Sequence, residues 1–451
     1  MIQLLTHRTM KTISVIAIIS LFTCSVNSQQ ILNQYVEQAI QNNLQVKEKK
    51  IMEHKQAIML EEASKLYSPD INFIGNYTLA AGGRNIDFPI GTLLNPVYST
   101  LNDLTESQKF HLVEDQSVNF LPNNFYDLKF RITQPILRPE IKYNKWIRQE
   151  EVTMSGLQTN QTVRDLVRDV KTAYLRWLQA KEVINITDEG ENLLNENKRI
   201  TESLIKNGQS IPSALMRVES EIDLIHAQQQ KAKTDLKNAA SWFNFLLHQP
   251  SDTPIVADTF ESTPDIPVLT DVTSREELQQ IKSGEHIQEL ALTLEQKHFA
   301  PRLGVQVDLG SQAYGADWGG YVLGGLQLDI PIWDNKKSKL KQQEWKASLE
   351  ANQNSYEWTK QAFEVQLQAE IENLHSDIAL YESYTSMMKT NNRYYDETLR
   401  RYKEGLTNYI ELLDARTDVT NTQLQQNIAR YQSWIRQINI ERLAATVPID
   451  K

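Results

Sequence analysis

The feature that most constrains the fold is a stretch of about seventy residues without proline, 140–211, in which apolar residues recur at helical spacing. A helix of this length spans on the order of 100 Å, so it needs helical partners along its whole length. A second run, from about 336 to 443, has the same character and is interrupted near Gly405. Only 16 glycines and 14 prolines occur in 451 residues. The sequence therefore predicts long polar helices in a coiled coil or a helical tube, and not a compact enzyme domain.

Four short segments instead alternate apolar and polar residues with a period of two, which is typical of amphipathic strands. In one of them, Leu128 and Phe130 lie on one face while Lys129 and Arg131 lie on the other. We predict two hairpins, formed by residues 71–79 with 127–137 and by residues 303–310 with 321–332. The first hairpin has a long connection, from about 80 to 124, and the second has a tight one.

The chain also repeats itself. The segment QPIL at 134–137 aligns with IPIW at 330–333, and KNGQSIPSALMR at 206–217 aligns with KEGLTNYIELLD at 403–414. The two shifts, 196 and 197 residues, agree to within one residue. We therefore predict two repeats, each with a helix, a hairpin and a long helical hairpin. They occupy 29–249, with a tip near 208, and 271–447, with a tip near 405; a proline-rich linker at 250–270 joins them.

The N-terminus reads as a secretory signal peptide, residues 1–28, with translation starting at Met1 or Met10. Its apolar run is too short for a spanning helix, and no later segment has the ~20 apolar residues that such a helix needs. The only cysteine, Cys24, lies inside this signal, which excludes a disulfide-based fold. The sequence around Cys24 also faintly matches a lipoprotein cleavage site, and Cys24 would then carry a lipid anchor.

Four amphipathic strands cannot close a barrel within one chain, and open sheet edges are not tolerated in hydrocarbon. If these strands enter a membrane, several copies must pool them. Three copies supply twelve strands, a number within the range of outer-membrane barrels.

Taken together, the chain resembles the TolC-like outer membrane efflux proteins over nearly its whole mature length, residues 31–445. The resemblance rests on the signal peptide, the duplicated plan, AIQNN at 39–43, SPDI at 68–71, and the turn from Gly405 to the LLDA at 412–415. It implies a mainly α fold with a small β part, in which a homotrimer forms a twelve-stranded outer-membrane barrel and a long periplasmic helical tunnel. It also implies a periplasmic adaptor protein, an inner-membrane RND, ABC or MFS pump, and outer-membrane lipid as partners.

The same resemblance assigns roles near the interruption of the second helical run. Gly208 and Gly405 correspond to the two tip turns, where the adaptor docks, and glycine suits a sharp turn because it accepts left-handed backbone angles. Glu411 and Asp414 correspond to acids that point into the tunnel as constriction rings. Because they are three residues apart, they share one helix face. The alternative is that this face is an ordinary solvated surface without a role in the tunnel.

The family's closed gate also bonds a tyrosine, an arginine and an aspartate between helices. Tyr402 matches the tyrosine, but Thr407 occupies the arginine position and Ala214 the aspartate position. We therefore expect the closed state to be held more weakly, or by contacts other than this charged latch.

Other classes of protein fit less well. No HExxH, GxSxG or P-loop motif occurs, and the eight histidines are scattered, so neither an enzyme nor a metal or other cofactor is expected. The net charge of −10 argues against nucleic acid as a partner. A secreted coiled-coil scaffold or adhesin would explain the helices, but not the duplicated strands.

For two features the sequence is compatible with two interpretations each. The connection 80–124 is either a lid over the barrel mouth or a simple disordered excursion. The aromatic residues Trp318, Tyr321 and Trp333 belong either to a membrane-interface belt or to a packed core.

Overall fold

The computed structural model describes residues 30–121, 123–258, 260, 262–267 and 271–446. The predicted signal peptide with Cys24 lies outside these residues, as do parts of the predicted linker. In chain order the elements are α1 (Gln30–Asn42), α2 (Leu44–Lys65), β1 (Asp70–Thr78), β2 (Asn85–Phe88), α3 (Ile90–Leu104), β3 (Gln116–Asn119), β4 (Phe125–Leu137), α4 (Pro139–Lys206), α5 (Pro212–Leu246), α6 (Glu276–Gln296), β5 (Arg302–Tyr314), β6 (Gly320–Asp329), α7 (Lys337–Lys403) and α8 (Tyr409–Leu443). The fold is mainly α with a small β part, as the sequence predicts.

The chain divides into two compact units, and both draw on each half of the sequence. The strand unit comprises Met59–Gln149 and Glu289–Ala347. The helical unit contains the described residues up to Ile58, together with Glu150–Gln288 and the described residues from Ser348 onward.

In the strand unit, the two predicted hairpins join into one antiparallel sheet with the order β1-β4-β5-β6. The sequence predicts the β1–β4 and β5–β6 pairs but not the β4–β5 pair, which connects the two halves of the chain. Among the described strands, β1 and β6 each have a neighbour on one side only. The sheet therefore has two free edges.

The two faces of this sheet differ in polarity. The cross-strand partners Phe73 and Phe130 lie on an apolar face, with ring centroids 5.1 Å apart. The cross-strand partners Arg131 and Asp308 lie on the opposite, polar face. The exposed side chains of the apolar face include Ile71, Phe73, Phe130, Leu309, Val322, Leu326 and Leu328. An exposed apolar surface of this extent requires a partner or a membrane.

The strand ends and the aromatic residues depart from the predictions. β6 ends at Asp329, not at residue 332, because Pro331 has no amide hydrogen for the ladder. β5 extends to Tyr314, beyond the predicted end at residue 310. Trp318 and Trp333 are 84% and 80% exposed, which excludes core packing within the chain. Tyr321 lies on the polar face and donates a hydrogen bond to Asp127, so it belongs to neither a belt nor an apolar core.

The long connection between β1 and β4 is not irregular. It contains the short hairpin of β2 with β3 and, between them, the helix α3.

The helical unit contains most of α4 and α7, which are 68 and 67 residues long, and all of α5 and α8, which have 35 residues each. Within the described ranges, no helix is apolar over a length sufficient to cross a membrane. One apolar core centres on Tyr174 and Phe243, which are fully buried. The linker region packs on this core: the Tyr174 hydroxyl donates to the carbonyl of Val256, and the Trp434 indole donates to the carbonyl of Ser262.

A partly buried charge cluster ties α4, α6 and α8 together. The Arg442 guanidinium donates to Asp165 at 2.8 Å and to Glu277 at 2.7 Å. Arg275 makes two further hydrogen bonds to Glu277 and stacks over the Phe363 ring of α7, 3.5 Å from its centroid. Burial opposes ionisation of Glu277, but the hydrogen bonds from Arg275 and the charges of both arginines outweigh it and lower the pKa of Glu277 to about 2.

Candidate functional site at the hairpin tips

Both helical hairpins of the helical unit turn at the predicted glycines. Gly208 and Gly405 have φ angles of +71° and +72°, in the left-handed region that glycine adopts without a side-chain clash. At each tip the glycine amide donates to the carbonyl three residues back, and the next amide donates to the carbonyl five residues back. This pair of hydrogen bonds is the Schellman motif, which satisfies the carbonyls at the end of a helix. The two turns therefore have the same backbone design.

The helices that leave the two turns begin differently. Pro212 occupies the first position of α5, where its fixed φ suits a helix start. In contrast, α8 is capped by Asn408, whose side chain accepts the backbone N–H of Glu411 at 3.0 Å. The start of α8 thus depends on one side-chain hydrogen bond.

The two predicted constriction residues share one face of α8 but differ in their contacts. The Glu411 carboxylate accepts hydrogen bonds from the Thr407 hydroxyl and from Arg401, the latter at 3.3 Å. Asp414, one turn further along, is exposed. Both residues line a cleft of about 940 Å³ between the two tips, which Arg217 of α5 also lines. Two cations, Arg401 and Arg217, therefore lie in the same cleft as the acids.

Aligning the two tips shows that their charges differ next to the turns and agree one turn further on. At the repeat shift of 197, Ala214, Arg217 and Glu221 align with Glu411, Asp414 and Asp418. The three acids of α8 follow one helix face at spacings of three and four. Asp418, which is exposed, therefore extends the acidic face beyond the two predicted residues.

Tyr402 is buried, with 2% of its surface exposed, and contacts the other hairpin. Its hydroxyl lies 2.9 Å from the Thr201 hydroxyl of α4, and its ring meets that of Tyr409 edge-on at 6.0 Å. Of the two positions where the family has its charged latch, Thr407 binds Glu411 and Ala214 packs beside the apolar tip cluster. A neutral hydroxyl pair thus links α7 to α4 near the tip.

Sequence reasoning missed a buried arginine on the same helix. Arg416 is 6% exposed and pairs across to Glu221 of α5, at 3.7 Å. Burial lowers the pKa of Arg416, while the nearby Glu221 carboxylate opposes this effect. Its burial could have been predicted from its position on the apolar stripe of α8, three residues from both Leu413 and Val419.

A second polar network, in the strand unit, was also missed. On the polar face of the sheet, Arg131 donates two hydrogen bonds to Asp308, at 2.9 and 2.7 Å. Asp127 accepts from Lys129 and from the Tyr321 hydroxyl. Each charged side chain of this set has a partner. Elsewhere too, no group of His, Cys, Asp or Glu among the described residues is arranged to hold a metal ion.

This architecture is similar to that of known outer-membrane proteins. Residues 277–446 match the family model of the outer membrane efflux proteins. No curated protein sequence gives a significant match.

Solved outer-membrane proteins share the fold over 92% of the chain. VceC of Vibrio cholerae is 12% identical, with 97% of its chain covered and a TM-score of 0.73. CmeC of Campylobacter jejuni is 14% identical, with 85% covered and a TM-score of 0.74. MtrE of Neisseria gonorrhoeae is 12% identical, with 88% covered and a TM-score of 0.72. The chain therefore has the fold of these outer-membrane proteins, and its residues 277–446 are similar to the outer membrane efflux protein family.

Proposed function

We propose that three copies of this chain form an outer-membrane exit duct for efflux or type I secretion. The observation that carries the proposal is the open four-stranded sheet, apolar and exposed on one face, polar on the other, and unpaired at β1 and β6. One copy cannot satisfy these edges in a bilayer, whereas three copies close a twelve-stranded barrel with the polar face inward. The long helices then form a periplasmic tunnel.

Within this duct, substrate arrives from an inner-membrane pump of the RND, ABC or MFS class through a periplasmic adaptor. We assign adaptor docking to the tip turns at Gly208 and Gly405. Their supporting features are exposed apolar side chains next to the turns: Ile211, Leu406 and Ile410.

Membrane fractionation and planar-bilayer recording test the duct. We expect the mature protein to require detergent for extraction, to migrate as a trimer, and to conduct ions in a bilayer. Recovery of the protein in the soluble periplasmic fraction without detergent would instead support the scaffold or adhesin alternative.

We further propose that Glu411 and Asp414 form acidic rings at the periplasmic end of the pore, with Tyr402 part of the gate. Six converging carboxylates attract cations and hinder anions. The variant Glu411→Gln/Asp414→Asn should therefore lower the cation-over-anion permeability ratio measured from reversal potentials in a salt gradient. Asp223→Asn, which removes an exposed acid from α5, is the matched control and should leave the ratio unchanged. An unchanged ratio in the double variant would remove the acids from the pore.

A further inference from the structure

The connection between β1 and β4, residues 79–121, is held together by its own polar contacts. The Asn95 side chain both donates to the Val113 carbonyl and accepts the Val113 N–H, each at 2.9 Å. One heptad later, Asn102 does the same with Phe110, at 2.8 and 3.1 Å. Two amide side chains on one face of α3 thus mimic a strand and fix the returning chain against the helix.

This segment has almost no core of its own. Gly91 alone among residues 79–121 is buried. On α3, the face opposite the two asparagines carries Leu93 and Leu104, which are 72% and 76% exposed, together with Val97. The further exposed apolar side chains are Leu79, Ile86, Phe88, Ile90, Phe110, Leu112, Val118, Phe120 and Leu121. A segment with defined hydrogen bonding and this much exposed apolar surface requires a covering partner.

The sheet topology indicates which surface is nearest. β1 is an edge strand, and the segment begins where β1 ends at Thr78. Each neighbouring pair in the sheet is antiparallel, so β6 runs opposite to β1 and starts, at Gly320, at that same end. When identical sheets close into a ring, β1 of one copy pairs with β6 of the next. Leu79 then lies beside the neighbour's β5–β6 turn, which carries the exposed Trp318.

Charge argues for a protein partner and against lipid. Residues 79–121 contain five acidic and two basic side chains, and α3 carries no lysine or arginine. Helices that lie on a membrane surface carry lysine and arginine on the polar face, and anionic headgroups repel acids. A second copy of this chain offers an uncharged partner at the seam, the exposed side chain of Trp318.

We propose that residues 79–121 form a clasp between protomers, in which the apolar face of α3 packs on the β5–β6 turn of the neighbouring copy. The clasp covers both exposed surfaces and reinforces the β1–β6 seam by contacts outside the ladder. This inference rests on the trimeric barrel proposed above.

Cysteine cross-linking tests the clasp, because the predicted mature chain contains no cysteine. In outer membranes treated with a short bismaleimide, Leu93→Cys/Trp318→Cys should give covalent dimers and trimers on denaturing gels. Ser99→Cys/Trp318→Cys is the matched control: Ser99 is exposed but lies away from the apolar face of α3, and it should give monomers. Leu79→Cys/Trp318→Cys reports on barrel closure alone.

The outcomes separate the two proposals. Cross-linking of the Leu79 pair without the Leu93 pair refutes the clasp and leaves the barrel intact. Failure of both pairs overturns the trimeric barrel, and the clasp with it. A fluorophore on Leu93→Cys that is quenched by nitroxide-labelled lipid would make lipid the partner and also refute the clasp. As a second measurement, Leu93→Asp/Val97→Asp should lose most of its SDS-resistant trimer, whereas Ser99→Asp should retain it.

Discussion

Replacing Glu277 by glutamine tests the partly buried charge cluster that joins α4, α6 and α8. Its folded-state pKa is lowered to about 2 from an ordinary value of 4.5. A difference of about 2.5 in pKa corresponds to about 3 kcal/mol of preference for the folded state when the group is ionised. We therefore expect Glu277→Gln to lower the free energy of unfolding at pH 7 by about 3 kcal/mol, since Arg275 and Arg442 lose their shared carboxylate.

The same reasoning fixes the pH dependence. Because the folded-state pKa is depressed, the stabilisation is complete above pH 4.5 and is lost as the pH falls through the range from 4.5 to about 2. The difference between wild type and variant should therefore shrink from about 3 kcal/mol at neutral pH to roughly 2 kcal/mol near pH 3.5.

Urea unfolding of the detergent-solubilised protein, followed by far-ultraviolet circular dichroism at constant protein concentration, measures both quantities. Glu372→Gln is the control: Glu372 is exposed on α7 and accepts one side-chain hydrogen bond from Gln368, so its loss should change stability by less than about 0.5 kcal/mol. If Glu277→Gln lowers the free energy of unfolding by less than about 1 kcal/mol, or by an amount that does not depend on pH, the charge cluster is not net stabilising.

Three further substitutions probe the tips. Tyr402→Phe removes the buried hydrogen bond between the Tyr402 and Thr201 hydroxyls, which is worth about 1 kcal/mol. Single-channel conductance should therefore be higher in this variant than in wild type and in the exposed control Tyr394→Phe. Equal conductance in all three proteins would exclude Tyr402 from the gate. Gly405→Ala places a side chain on a residue with φ of +72° and should lower the free energy of unfolding, measured in urea, by about 1 kcal/mol. Gly405→Asn should lower it less. An alanine variant as stable as wild type would contradict this argument from backbone strain. Glu221→Gln leaves Arg416 buried beside a neutral partner and should destabilise by about 1–3 kcal/mol. The double variant with Arg416→Met should recover part of that loss, and additive losses would show that the pair is not coupled.

The sequence predicts those parts of the fold that follow from local periodicity. Alternation at Leu128–Arg131 identifies a strand, and Gly405 within a helical run identifies a turn, because each signal is contained in a few neighbouring residues. The pairing of β4 with β5 could not be predicted, since it joins residues such as Arg131 and Asp308 that are far apart in sequence.

In the candidate site, too, the features that follow from local sequence could be predicted and those that depend on packing could not. Glu411 and Asp414 could be placed on one helix face from their spacing alone. Their surroundings could not be: the contact of Glu411 with Arg401 depends on the geometry of the turn, and the contact of Tyr402 with Thr201 depends on how two hairpins pack. For the same reason, the absence of a charged residue at position 407 did not reveal which contacts replace it.

The two tip turns have one backbone design but opposite chemical characters. At equal distances from its glycine, one hairpin presents Ala214 and Arg217, and the other presents Glu411 and Asp414. Three copies arranged around an axis then display six turns of the same shape, alternating between two charge patterns. A partner built as a ring of six identical subunits would match the shape at every position but the charge at only every second one. Its subunits would therefore occupy two inequivalent environments and bind with two distinct affinities, even though both partners are made of a single kind of chain.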